Sequence, residues 1–310
     1  MARRTRDPDA APTGRDRLQY AVLAGFLWLL LALPYRWRVP FCGWVFARLV
    51  APLSQGPRLM RANLALALPD LTEHEVRRLI RATADNVGRT MVELASGEAF
   101  KAQAAAARVT GAGLDRVLQA HAAGRPVILV SGHFGSYDVP RAHLAARGIQ
   151  VGGVYQPPLN PLIHDRYRQL ISVFGAPVFP RGRRGTAGLL KLLKAGGMVG
   201  MLIDWDLDSG AELRFFGRPA RTALSAAELA LRYDALLVPV YGLRRAGGFD
   251  LVVEDPLPHS TPEAMTQALN DSLEAMVRAH PAQWFWGQRR WKADDKAIRK
   301  AQARAARRGT

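Results

Sequence analysis

The stretch RPVILVSGHFGSYDVPRAHLAARG, residues 125–148, carries three structural signals in succession. Residues 125–131 contain a short apolar run of the length and composition of a buried strand. Residues 132–137 hold two glycines and read as a tight loop. From Asp138 onward the pattern is helical, with Pro140 near the start and Gly148 at the end. At the strand end, His133 and Asp138 stand in HxxxxD spacing.

The alternation continues outward. Further strands are predicted at 151–155, 176–179, 198–204, 236–242 and 249–254, with an edge strand at 213–216. Helices are predicted at 161–174, 185–195, 222–233 and 261–279. Upstream, residues 57–106 read as helical. Thr72 and Glu75 have the spacing of a capping box, and Val76, Leu79, Ile80 and Ala84 follow at helical intervals. Strands separated by helices imply an α/β fold, a mostly parallel mixed sheet flanked by helices. Ligands of such sheets bind beyond the carboxyl ends of the strands. His133, Arg181 and Asp204 all fall just after strand candidates.

Residues 18–34 contain no charge and lie between Arg15 and Arg17 on one side and Arg36 and Arg38 on the other. Bulky residues follow, with no small-residue cleavage site, so an uncleaved N-terminal hydrophobic membrane-anchor helix is expected, spanning or lying in the interface. Trp37, Phe41 and Trp44 would then sit at headgroup level. The chain divides accordingly into a disordered basic tail at 1–17, a membrane anchor and interfacial segment at 18–56, a main α/β domain at 57–292 and a basic tail at 293–310. The net charge of +17 is concentrated at the two ends: residues 1–61 hold ten Arg and three Asp, and residues 289–310 hold nine Lys/Arg and two Asp. Charge next to apolar and aromatic stretches favours membrane phospholipids with anionic headgroups, and no nucleic-acid partner is expected. The single cysteine, Cys42, excludes an internal disulfide.

A carboxylate beside His133 would fix its tautomer and leave the other ring nitrogen as a general base. That is a Ser-His-Asp arrangement without the serine, suited to direct attack of a substrate hydroxyl on an activated acyl group. Ser131 and Ser136 flank the histidine, but neither lies in a GxSxG elbow. His133, Asp138 and His143 match no zinc spacing, so no metal site is expected. Residues 179–185 form a Gly-rich basic loop around Arg181 that could meet phosphate, without the GK[ST] of a P-loop. Asp204 and Asp206 place two acids at a strand end. Residues 284–292 interleave Trp and Phe with Arg289 and Arg290 and are expected at a membrane interface, the alternative being a core-packed segment.

In order along the chain, an apolar N-terminus, Arg61-Ala-Asn63-Leu64 with Leu68-Pro69, the segment around His133 and Asp138, Arg181, Asp204, Phe215-Phe-Gly217 with Thr222, and Trp286-Gly-Gln-Arg289-Arg290-Trp291-Lys292 resemble the bacterial lipid A biosynthesis acyltransferases, within the lysophospholipid acyltransferase-like superfamily. The resemblance covers about residues 18–292. It implies transfer of a fatty acyl chain from an acyl carrier protein thioester to a hydroxyl of a lipid A precursor, at the cytoplasmic face of the inner membrane and without a cofactor. It further implies His133 as base, Asp138 as its orienter, and Arg181, Asp204, Arg289 and Arg290 as substrate-binding candidates. Asp138 stands where that family more often has Glu. Asp there is usual in branches acting on lysophospholipids or phosphatidylinositol mannosides, which are the alternative acceptors.

Overall fold

The structure, a computed structural model, describes residues 11–291. Residues 1–10 of the basic N-terminal tail, Lys292 and the basic C-terminal tail at 293–310 lie outside the described residues.

Helix α1 (Gly14–Leu31) begins inside the stretch expected to be a tail, because Thr13 and Asp16 form a reciprocal capping box. Pro34 ends the apolar run, and α2 (Tyr35–Val45) turns back, continued by a π-helical turn at Phe46–Val50. Among the described residues no helix is long and apolar enough to cross a membrane. The uncharged run gives a physical reason: its 17 residues at ~1.5 Å each reach about 25 Å, short of the ~30 Å hydrocarbon core. The corner between α1 and α2 is fixed by Arg38, whose guanidinium donates to the carbonyls of Leu31 and Leu33 and to Ser96 Oγ.

Then come α3 (Gly56–Ala67), α4 (Glu73–Ala95) and α5 (Glu98–Ala105). The predicted capping box at Thr72 and Glu75 starts α4, with both reciprocal bonds formed. After β1 (Arg108–Thr110) and α6 (Gly113–Ala122), the predicted strand–loop–helix unit appears as β2 (Val127–Ser131) and α7 (Val139–Ala146). The alternation then runs β3 (Val151–Tyr155), α8 (Pro161–Ser172), β4 (Val178–Pro180), α9 (Arg183–Lys194) and β5 (Met198–Leu202). A two-stranded hairpin of β6 (Ala211–Phe215) and β7 (Arg218–Thr222) stands apart from the main sheet. The chain closes with α10 (Ser225–Tyr233), β8 (Leu236–Arg245), β9 (Gly248–Val253), α11 (Pro262–Ala279) and a 3-10 turn at Pro281–Gln283.

The seven-stranded sheet has the order β1-β9-β8-β2-β5-β3-β4, and only β8 and β9 pair antiparallel. It is therefore mostly parallel and covered on both faces, as predicted. The unbroken apolar run of β2 follows from that double burial. Val127 and Leu129 join the core with Phe100, Val139 and Phe174, while Ile128 and Val130 join Leu189, Val199 and Leu269 on the other face. A third cluster, built on Phe134, Phe215, Phe216, Trp284, Trp286 and Trp291, gathers α3, α4, α11 and the hairpin. The three tryptophans at 284, 286 and 291 are 0–1 % exposed. This corrects their expected place at a membrane interface: the segment is core, because its rings pack tilted and stacked against Phe215 and Phe216.

Candidate active site

The loop after β2 is pressed against β8. A Cβ on Gly135 would lie 2.1 Å from the Gly242 carbonyl oxygen, and its φ is +58°, so this position requires glycine. The loop is held by its backbone: Gly135 N–H donates to Gln283 O at 2.8 Å and Ser136 N–H to Gly242 O at 2.9 Å. Asn86 and Thr90 of α4 donate to Gly135 O, and Ser136 Oγ donates to the buried Glu93. Glu93 in turn pairs with Arg244 from β8. The Gly135 amide is thus engaged within the protein and does not face the cleft as a free donor.

His133 projects from this loop at the carboxyl end of β2. Its Nδ1 lies 2.8 Å from Asp204 Oδ1, and its backbone N–H donates to Asp204 Oδ2 at 2.8 Å. Trp284 Nε1 and Gln288 Nε2 also donate to Oδ2, at 2.9 and 2.8 Å. Asp204 is 0 % exposed. Burial alone would raise its pKa, but the charge and hydrogen bond of His133 and the bonds from Gln288 and the His133 amide outweigh it. Its carboxyl is held well below the ordinary range. The imidazole stacks on Trp205 and meets Tyr137 edge-on. Among the described residues, Nε2 makes no hydrogen bond.

The carboxylate on His133 is therefore Asp204, not Asp138. Asp138 begins α7 and faces one turn along it, accepting from Arg141 Nη1 at 2.8 Å. Arg141 also donates to the carbonyls of Val151, Ile171 and Gly175. Asp138 stays in the site as a wall residue. His143 points into the core, its Nδ1 2.9 Å from Ala104 O, so it does not converge with His133 and Asp138 on a metal.

Two clefts meet at His133. The first, about 250 Å³, lies over the sheet; it is lined by Leu129, Val154, Met201 and Leu202 and bounded by Asp138 and Arg141. The second, about 240 Å³, runs along α4 past Val87, Met91 and Leu94 to Phe285. His133, Tyr137 and Tyr167 belong to both.

The other predicted residues are placed differently. Arg181 is exposed and its backbone N–H bonds Tyr155 O, beside the first cleft but not lining it. Arg289 is exposed. Arg290 is fully buried, bonding Thr222 Oγ1, Asn270 Oδ1 and Arg221 O. Burial lowers its pKa to about 10. Its place is structural, because its five donors are turned to the protein interior. Sequence reading missed Trp284 and Gln288 as partners of Asp204, and Asn63, whose amide holds their segment through the carbonyls of Trp286 and Gln288 at 2.7 and 2.6 Å.

A histidine clamped on one nitrogen by a buried carboxylate, beside two largely apolar clefts and with no serine or cysteine hydrogen-bonded to it among the described residues, is an arrangement chemically able to take a proton from a hydroxyl held next to an apolar chain. Residues 13–293 match the family of bacterial lipid A biosynthesis acyltransferases, and the chain belongs to that family; it is an acyltransferase. It is 30 % identical over 259 residues to a phosphatidylinositol mannoside acyltransferase of Mycobacterium tuberculosis (strain CDC 1551 / Oshkosh), covering 81 % of this chain and 82 % of that protein. It is 25 % identical over 290 residues to the lipid A biosynthesis lauroyltransferase of Escherichia coli (strain K12), covering 88 % and 91 %. A phosphatidylinositol mannoside acyltransferase of Mycolicibacterium smegmatis is 27 % identical over 250 residues, covering 79 % and 82 %.

Proposed function

We propose that the chain transfers a fatty acyl group from an acyl carrier protein thioester to a hydroxyl of a glycolipid, the lipid A precursor, with His133 as general base and Asp204 as its orienter. Asp204 keeps the proton on Nδ1. Nε2 then takes the acceptor hydroxyl proton as the oxygen attacks the thioester carbonyl. The carbon–sulfur bond breaks, and the thiolate leaves with the proton returned by the imidazolium. One cleft receives the donor chain and the other an acyl arm of the acceptor. The observation that carries this reading is the unbonded Nε2 at the junction of the two clefts. A positioned base contributes about 10²–10⁴-fold. His133→Ala is expected to lose that factor in acyl transfer from a carrier-protein thioester; wild-type-like turnover rejects the mechanism.

A second acceptor, a phosphatidylinositol-mannoside-type glycolipid, is favoured by the 30 % identity to the mycobacterial relative. Lipid mass spectrometry after deletion of the gene separates the two: lipid A lacking one secondary acyl chain supports the first, and an underacylated inositol glycolipid supports the second.

We place the enzyme on the cytoplasmic face of the inner membrane, attached without spanning it. Trp37, Phe41, Trp44, Leu49, Val50 and Leu53 are exposed along α2 and the turns after it. Beside them is a basic groove that includes Arg48, Arg77, Arg78 and Arg81. Rings at headgroup depth next to arginines suit an anionic interface.

A further inference from the structure

The first cleft has a floor made by one side chain. The register of the sheet puts Leu129, Gly200 and Gly153 side by side in one row, and Ser131 and Leu202 in the row nearer His133. Both rows line the cleft. Two of the three residues in the deeper row are glycines, which would leave a trough across β5 and β3. Arg141 fills it. A Cβ built on Gly153 would lie 2.8 Å from Arg141 Cζ, and one on Gly200 would lie 3.2 Å from its Cδ. Beyond the trough the guanidinium is pinned by Asp138 and by the carbonyls of Val151, Ile171 and Gly175. A buried cation with that many partners is a fixed polar barrier, and a methyl terminus that reached it could not displace it without leaving those groups unpaired.

We propose that Arg141, laid over Gly153 and Gly200 and pinned to Asp138, is the closed end of the acyl cleft and sets the length of chain the enzyme transfers. The inference rests on the reading that this cleft holds the donor chain. One methylene more or less against a fixed wall is worth about 10–200-fold in discrimination. A methyl added at Gly153 occupies the trough against the pinned guanidinium and takes up space at the end of the cleft.

The test is a competition among saturated acyl carrier protein thioesters of graded length, with the full chain and glycolipid acceptor, and product lengths read by mass spectrometry. Gly153→Ala is expected to raise the ratio of shorter to parental product by about tenfold per methylene excluded. The double variant Arg141→Met/Asp138→Asn, which removes the barrier and its counter-charge together, is expected to shift products to longer chains. Unchanged length distributions in both variants overturn the proposal. If the variants turn over too slowly to read, thermal stabilisation by free fatty acids of graded length, measured in the His133→Ala background with and without Gly153→Ala, gives the same comparison. There, an unmoved length optimum overturns it. Absence of transfer to any glycolipid by the wild type would instead reject the proposed function, while the fatty-acid series would still report on Arg141.

Discussion

Replacing Asp204 with Asn exchanges one oxygen for an NH₂ at nearly constant size. Four donors converge on the carboxylate. Oδ1 faces His133 Nδ1, and Oδ2 takes the His133 amide, Trp284 Nε1 and Gln288 Nε2, all within 2.8–2.9 Å. An amide can turn its one oxygen to only one of these sides. With the oxygen toward the three donors, the NH₂ points at Nδ1, and the imidazole must offer a lone pair there. Its proton then moves to Nε2, the nitrogen that has to accept a proton from the acceptor. The opposite orientation sets the NH₂ against three buried donors, each costing about 1–3 kcal/mol when left unpaired. The first orientation therefore wins by roughly 2 kcal/mol or more, and the variant folds around the wrong tautomer. The expected result is a fall in kcat of about 10²–10⁴-fold, with KM little changed because Asp204 is fully buried. Initial rates and single-turnover measurements with a labelled acyl thioester read the loss, and thermal unfolding reads stability. Asp138→Asn should differ: it weakens the hold on Arg141, lowers Tm, and raises donor KM more than it lowers kcat. Near-wild-type kcat for Asp204→Asn, together with a thousandfold loss for Asp138→Asn at unchanged Tm, would refute the assignment and return the orienting role to Asp138.

Other outcomes follow from the same contacts. Because the Asp204 carboxyl titrates below its unfolded value, its stabilisation is fully present above the ordinary carboxylate range and is lost as pH falls below about 4; Tm should drop more steeply there for wild type than for Asp204→Asn. Arg290→Ala leaves Thr222 and Asn270 without their buried partner and should cost about 3 kcal/mol or more, a Tm loss on the order of 10 °C, whereas Arg289→Ala should leave Tm unchanged. Replacing Trp37, Phe41 and Trp44 together by Ser should reduce binding to anionic vesicles by tenfold or more in a sedimentation assay, with Tm nearly unchanged because all three are exposed.

Local signals were the legible part. Capping residues, Pro140 and Gly148 at the two ends of α7 and the apolar run of β2 act within a few positions of themselves, so the helix expected after Thr72, the strand within 125–131 and the helix from Asp138 are observed, at 73–95, 127–131 and 139–146. Strand β7 was not legible: it contains Pro219 and pairs only with β6, outside the main sheet, so burial imposes no apolar pattern on it. The aromatic segment at 284–291 was misplaced for a related reason. Trp and Arg alternate at a membrane surface and in a core alike, and only the ring partners, which come from the hairpin and α3, decide between them.

The site itself divides along the same line. His133 and Asp138 are close in sequence, so their spacing invites pairing, but closeness in one loop is a weak constraint on where two side chains point. The pairing with Asp204 is set by topology. β5 lies against β2 in the sheet although two strands intervene in the chain, and the register joins Ser131 to Leu202. His133 and Asp204 are each two residues beyond that pair, so the sheet brings both to the same edge at the same height. A parallel neighbour is what makes this possible, since an antiparallel one would carry its acid to the opposite end. The remaining donors arrive from farther still, on a segment held by Asn63 from the third helix. The base is therefore local in sequence, while its orientation is a property of the whole fold, and a substitution as distant as Asn63→Ala should reach His133 by loosening Gln288 and Trp284 from the carboxylate they share with it.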